Sequence, residues 1–235
     1  AGTSCTINGQ TWPQYTEDFF WNCMGFTCIN GKFVINSGNK NICSVCRVSN
    51  DPHITTFNGN NYDWHGDCTY CLSQEGNADS FVYDKFTKCY DGVSCVDTVY
   101  FQPRSMKTVI TIELDFKVVI QGYSQSVITY APGMQVLRGG LGSWNREYPA
   151  LAYWLDQCLH IISVDEKDFL VKLCSGFIQI YAVKERYYNK PRSGMCGNPD
   201  DSSPEEDIRL RNGTLLENPK SGGRVIEPIF AFDWT

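Results

Sequence analysis

Basic charge and long apolar runs are both scarce in this chain. Twenty Lys and Arg residues face 26 Asp and Glu, leaving a formal net charge of −6 and a pI near 5.1. Nucleic-acid binders carry a basic footprint, so no nucleic-acid partner is expected. No apolar stretch approaches the ~20 residues of a membrane helix, so no transmembrane segment is expected either. The chain opens at Ala1 without a basic n-region or an apolar h-region, so a secreted protein is expected here in its mature form. Histidine is limited to His53, His65 and His160, and no G-x-S-x-G, P-loop, dinucleotide fingerprint or H-E-x-x-H is present. His65 in "DWHGDC" reads as a structural residue at a strand end, and His160 in "CLHIIS" as core or cross-strand. Hydrolase chemistry is therefore not expected. Charged residues make up 20% of the chain and aromatics 14%, which argues against disorder.

Cysteine is abundant. The 12 cysteines are Cys5, Cys23, Cys28, Cys43, Cys46, Cys68, Cys71, Cys89, Cys95, Cys158, Cys174 and Cys196, and their even number suits six bridges in an oxidising compartment. The rival reading is zinc, because Cys43-x-x-Cys46 and Cys68-x-x-Cys71 have the spacing of a tetrahedral site. That reading leaves the remaining cysteines unexplained. The acceptor "NGT" at Asn212 also favours the secretory pathway and marks a candidate glycosylation site. A secreted, disulfide-bonded glycoprotein is the expectation.

Residues 1–45 are short, loop-rich and dense in cysteine, with Asn-Gly turns at Asn8-Gly9 and Asn30-Gly31. Such a segment relies on its bridges, with Phe19, Phe20 and Trp21 as a mini-core rather than a docking patch. From Cys46 onward, strand patterns dominate. "VITIELDFKVVIQG" alternates Ile110, Ile112, Leu114, Phe116, Val118 and Ile120 against Thr111, Glu113, Asp115 and Lys117, predicting a half-buried antiparallel strand or hairpin arm. "CLHIISVDEKDFLVKLC" reads as two strands about the polar turn Asp165–Asp168, "FIQIYAV" as another, and "SVITYAPG" as ending in a Pro-Gly turn. Only "YPALAYWLDQ", Tyr148 to Gln157, is ambiguous between helix and strand. Runs of strands without helices predict a mainly β chain, an antiparallel sandwich or barrel.

Two signatures carry a family resemblance. "NDPHITTFNG" with "GDCTYCL", and later "SGMCGNPDDSSPEED", resemble the opening and closing motifs of von Willebrand factor type D domains. "KCYDGVSC" is similar to that family's short bridged loop, and "IFAFDW" to its terminal Phe-x-x-x-Trp. The resemblance covers 46–235; residues 1–45 resemble a von Willebrand type C module, without its full Cys-x-x-Cys-x-Cys core. The domains expected are a small cysteine-rich module at 1–45 and a type D-like β-sandwich with its tail at 46–235.

The resemblance implies a calcium-dependent domain in secreted, multi-module proteins. A flexible loop of carboxylates and carbonyls suits calcium, which takes six to eight hard oxygens. The family's ligands fall on Asn198 and Asp200, then on Glu206 or Asp207. Its first-motif Asp is here Asn58, which removes one formal charge. The bland alternative is a solvated acidic loop. In some family members the Asp-Pro bond of the opening motif breaks by itself. Here Asp51 would attack its own carbonyl, Pro52 would leave and His53 would supply a proton. Asn50 in place of the family's Gly weakens that reading, and an intact Asp-Pro turn is the alternative. The resemblance also implies Cys46 paired with Cys196, and Cys89 with Cys95 across a short turn-rich loop.

The function expected is an extracellular binding module whose partners are other proteins, matrix or a second copy; secreted growth-factor antagonists join C and D modules in this way. An alternative is a carrier of a small hydrophobic ligand or pigment, with Trp144, Tyr153 and Trp154 near a pocket in "LRGGLGSWNREYPALAYW". The ostracod luciferases, built from paired type D domains, make a luciferase-like oxidase the third reading.

Overall fold

The computed structural model describes residues 3–7, 10–21, 23–35, 42–76, 79–104, 109–120, 123–125, 134–137, 150–155, 157–163, 169–216 and 228–235. The N-terminal segment forms two small sheets. One pairs β1 (Cys5–Ile7) with β2 (Gln10–Trp12), and the other joins β3 (Glu17–Trp21), β4 (Met24–Ile29) and β5 (Lys32–Ile35). Bridges Cys5–Cys28 and Cys23–Cys43 staple it. Trp12 packs edge-on against Phe33 at 5.4 Å. The mini-core expected of Phe19, Phe20 and Trp21 lies outside the described side chains.

The rest is built on two antiparallel sheets. One begins with β6 (Cys43–Ser49), β7 (His53–Thr55) and β8 (Asn61–Asp63). The other takes β9 (Thr69–Glu75), β10 (Phe81–Tyr90), β11 (Val93–Gln102), β12 (Ile110–Glu113), β13 (Val118–Ile120) and β14 (Tyr123–Gln125). The chain then returns to the first sheet through β15 (Met134–Leu137), β16 (Ala150–Leu155), β17 (Cys158–Ser163), β18 (Phe169–Cys174) and β19 (Phe177–Val183). After a turn of helix, α1 (Lys184–Tyr187), strand β20 (Arg192–Ser193) joins β9, and the chain closes on helix α2 (Pro228–Asp233). The strand orders are β15-β16-β17-β18-β19-β6-β7-β8 and β14-β13-β12-β11-β10-β9-β20, so among the described residues both sheets keep open edges and neither closes into a barrel. This is a β-sandwich with one shared core. Val99, Phe101 and Ile112 contribute from one sheet, and Val48, Val171 and Ile180 from the other. Phe101 meets Phe169 across the layers at 5.9 Å.

Three readings are refined by the structure. The alternating run from Ile110 is two arms of a hairpin, not one strand: Ile110 opposes Ile120 and Ile112 opposes Val118. The turn is set by the Asp115 carboxylate, which accepts from the Lys117 amide at 3.0 Å, with Phe116 at φ 64°. Leu114 consequently sits exposed at the tip. The ambiguous "YPALAYWLDQ" supplies strand β16, whose ladder with β17 runs from Ala150↔Ser163 to Leu155↔Cys158. The third concerns cysteine. The structure holds five bridges, the remaining ones being Cys46–Cys196, Cys89–Cys95 and Cys158–Cys174, while Cys68 and Cys71 stay as thiols. Residues three apart in extended chain lie about 10 Å apart, too far for a disulfide. Cys43 and Cys46 are both bridged, so the four-cysteine zinc reading fails as well. The Pro-Gly turn of "SVITYAPG" and the turn at 165–168 lie outside the described residues.

One inward position breaks the apolar pattern. Asp84 points into the core between Val82 and Phe86 on β10, is 0% exposed, and neither carboxylate oxygen has a hydrogen-bond partner among the described residues. Burial, with Asp97 adding to it, holds its pKa well above the ordinary carboxylate value. A folded-state pKa raised above the unfolded ~3.9 contributes stability that is complete below that value and is lost as pH rises through the folded pKa. The isosteric Asp84→Asn removes the charge, so it should stabilise the protein at pH 7 by roughly 1–3 kcal/mol and flatten this part of the pH dependence. Urea titrations at pH 4 and pH 7 measure both effects.

Candidate functional site

The site is built where the opening and closing motifs meet. After β7 the chain makes a tight turn before β8. The Thr56 amide donates to the Asn60 carbonyl at 2.8 Å, the Gly59 amide to the Thr56 carbonyl at 3.1 Å, and Gly59 takes φ 93°. Phe57 is buried, and its amide donates to the Cys196 carbonyl at 3.0 Å. Asn58 is thereby aimed at the loop that follows Cys196. Gly197, at φ 71°, lets that loop approach: a Cβ there would stand 2.2 Å from Asp207 Oδ1.

Asn58 Nδ2 sits among four oxygens: the Asn198 carbonyl at 2.8 Å, Asp207 Oδ1 at 3.0 Å, Ser202 Oγ at 3.1 Å and Asp200 Oδ1 at 3.2 Å. Asn58 Oδ1 accepts from the Asp201 amide at 3.1 Å. An amide nitrogen carries only two hydrogens, so this centre holds more acceptors than the amide can serve. The Asp207 carboxylate also accepts from Thr56 Oγ1 and from the amides of Asn58 and Asn198, both at 3.3 Å. Burial pushes the Asp207 carboxyl up to about 6, against those hydrogen bonds. Asp200 is driven up by burial, but its bonds from Ser202, Asn198 and Asn58 outweigh this and leave its pKa below the ordinary value. A 3₁₀ turn, Pro204–Asp207, directs Asp207 inward and leaves Glu206 exposed, 3.9 Å from Arg209.

The expected ligand set is thus brought together at Asn58, Asn198, Asp200 and Asp207, while Glu206 stays outside. Thr56, Ser202 and the Asn198 carbonyl were not anticipated; their only signal was proximity to the two motifs. The donors are hard oxygens of the kind calcium takes, with Asp200 and Asp207 supplying the charge. Asn58 would turn its amide over to present oxygen. Among the described residues, no three His, Cys, Asp or Glu side chains form a group that could hold a metal, so a cation here would also need carbonyl, hydroxyl and amide oxygens.

The Asp51–Pro52 bond lies at the other end of the same hairpin. Asp51 takes φ 59°, while Asn50 is not among the residues of positive φ. The glycine-like freedom is therefore required at Asp51, not at the preceding residue. The Pro52 carbonyl accepts from the Trp64 amide at 3.0 Å. His65 Nδ1 stands 3.1 Å from Asp51 Oδ1, and His53 Nε2 3.9 Å from Asp51 Oδ2. His53 Nδ1 contacts Asp63 Oδ1 at 2.5 Å.

Of the other sequence candidates, Cys46–Cys196 ties β6 to the closing motif and Cys89–Cys95 spans the β10–β11 hairpin. Asn212 lies on an exposed turn and accepts from the Thr214 amide at 2.9 Å. Trp154 is buried with its ring edge-on to Phe116 at 4.7 Å, which is core packing. Tyr153 pairs through its backbone with Met134 and His160, and its side chain, like all of Trp144, lies outside the described residues. The carrier reading therefore gains no support at Trp154. The tail expected of "IFAFDW" is docked: Phe230 packs edge-on against Tyr62 at 5.8 Å, and the Trp234 carbonyl accepts from the Cys71 amide at 2.7 Å.

A disulfide-tied β-sandwich whose first and last motifs close on one polar loop defines a class of domain. The chain belongs to the von Willebrand factor type D domain family, whose profile matches residues 46–214. Human zonadhesin is 26% identical over 172 residues, covering 71% of this chain and 5% of zonadhesin. The human IgGFc-binding protein is 39% identical over 198 residues, 79% of this chain and 3% of that protein. Human mucin-5AC is 29% identical over 136 residues, 54% of this chain and 2% of the mucin. The chain thus spans a small part of each relative's length. Among the described residues, no helix is long and apolar enough to cross a membrane.

Proposed function

We propose that this chain is a non-enzymatic interaction module of a secreted, extracellular protein, held in shape by its bridges and supported by calcium at the closing loop. Its partners are other extracellular proteins, matrix or a second copy. The convergence of Asn58 on the 198–207 oxygens carries this reading, because the charge of Asp200 and Asp207 calls for a cation there. The likeness to zonadhesin, the mucins and the IgGFc-binding protein favours an extracellular binding role. The residues at 1–45, outside the matched region, are taken as a type C-like companion.

With Asn58 in place of a carboxylate, half-saturation falls at extracellular rather than intracellular calcium, on the order of millimolar. Asn58→Asp restores the missing charge and should lower the calcium needed on the order of tenfold. Calorimetric titration of both proteins is the test; equal, undetectable binding in both would remove calcium from the account.

The Asp51–Pro52 bond is expected to stay intact at neutral pH. The Asp51 carboxylate faces His65 and His53, and self-cleavage would require it to turn onto its own carbonyl. A reducing gel after prolonged incubation should show one band. Two bands under reduction and one without it would mean cleavage, with the pieces retained by Cys46–Cys196.

A further inference from the structure

We propose that the cleft between β20 and the turn at 209–215 binds a neutral saccharide unit. This names a partner chemistry for the extracellular role proposed above and rests on that role, but not on calcium. Two hollows of about 320 Å³ each meet here and share Gly76 and Pro191. Pockets for small ligands begin near this size. One wall is β20, the edge strand of its sheet. The other is the turn in which Arg209 bridges to Leu215 and the Gly213 amide donates to the Leu210 carbonyl at 2.9 Å. Gly76 keeps the junction open, since nothing stands within 4 Å of where a Cβ would be.

Charge decides the class of ligand. In the hollow beside the turn, Arg192, Arg209 and Arg211 face Asp200, Glu206 and Asp207, so the lining has no net charge with which to hold an ion. It is rich instead in donors and acceptors set side by side, which is what a hydroxyl needs, because it both donates and accepts. Glu206 and Arg209 supply such a pair at the rim. Their side chains are 53% and 47% exposed, and Oε2 stands 3.9 Å from Nη2. That gap is too long for a direct hydrogen bond and leaves room for a sugar hydroxyl to bridge the two. Arg209 is held ready, since its Nη1 donates to the Gly213 carbonyl at 2.9 Å. Arg211 is fixed in the same wall by the Trp234 ring at 5.0 Å and the Thr235 carbonyl at 3.2 Å. Pro191 and Leu210 add apolar surface for the C–H face of a sugar ring.

The test is saturation-transfer NMR on the whole chain with the methyl glycosides of galactose, mannose, fucose and N-acetylglucosamine. At least one should bind, with a Kd on the order of millimolar, and sialyllactose should bind no more tightly. Glu206→Ala and Arg209→Ala should each weaken that binding at least about tenfold, the scale for losing a hydrogen bond to a charged group. Gly76→Leu should weaken it as well by filling the junction. Urea midpoints of the three variants should stay near the parent's, because Glu206 and Arg209 are half exposed and a Cβ at Gly76 meets nothing. Ovalbumin before and after enzymatic removal of its glycans then tells a protein-borne sugar from a free one. Failure of every neutral glycoside, tighter binding of sialyllactose, or equal binding by all three variants would overturn the proposal. Calcium titration of the same protein reads the 198–207 loop separately, so a chain that takes calcium and no sugar loses this inference and keeps the earlier reading.

Discussion

Replacing Arg192 by alanine is expected to destabilise the fold by about 3–5 kcal/mol, the scale for breaking a buried ion pair. The Arg192 side chain is 0% exposed and that of Glu75 8%, with 3.4 Å between Nη1 and Oε1. Arg192 also donates to Ser73 Oγ at 2.7 Å, and to Ser80 through Oγ and the carbonyl, both at 3.2 Å. Its guanidinium lies over the Phe169 ring at 4.0 Å. Short strand β20 holds it in place, so this one side chain fastens the closing motif to the β9 edge and to the core. Arg104 also contacts Glu75, but it is partly exposed and cannot occupy the buried position. Arg192→Lys should recover little, because a lysine cannot reproduce the planar fork that serves Ser73, Ser80 and Glu75 together. Urea unfolding of the two variants measures this. A loss below 1 kcal/mol in Arg192→Ala would mean that Glu75 is satisfied without it.

The second large effect concerns Cys46–Cys196, which closes a loop of 150 residues. In the chain-entropy picture, removing such a bridge costs about 4–5 kcal/mol. The double variant Cys46→Ala, Cys196→Ala should therefore unfold at much lower denaturant than the parent. The same measurement on Cys89→Ala, Cys95→Ala, whose separation is 6, should show a smaller loss. Local effects go further than entropy here, since the Cys196 carbonyl receives the Phe57 amide and so helps to place Asn58. Calcium affinity should fall together with stability in the first double variant and not in the second.

These two elements also mark the limit of what the sequence makes legible. Apolar runs bounded by polar turns could be read directly: Cys158–Ser163, Phe169–Cys174 and Phe177–Val183 are strands. The 110–120 run kept its period of two through a turn, because Phe116 returns to the core side in a left-handed conformation and packs on Trp154. Periodicity alone could not reveal that reversal. Family motifs pointed to Asn58, Asn198, Asp200 and Asp207, but not to Thr56 or Ser202, whose hydroxyls matter only once the two loops meet. Arg192 gave no signal at all. It is one arginine among 20 basic residues, and its burial depends on Ser73, Ser80 and Glu75, which are distant in sequence. The even cysteine count suggested full pairing, whereas Cys68 and Cys71 remain thiols because their spacing along extended chain keeps them apart.

Calcium support of the fold is tested by the melting temperature of the oxidised chain across calcium concentrations, alongside Asn58→Asp. Tm should rise through the millimolar range, fall back on chelation, and respond at lower calcium in Asn58→Asp. A Tm unmoved by calcium or chelator in both proteins would contradict it, and would leave the oxygen-lined loop as hydrogen-bonded structure alone.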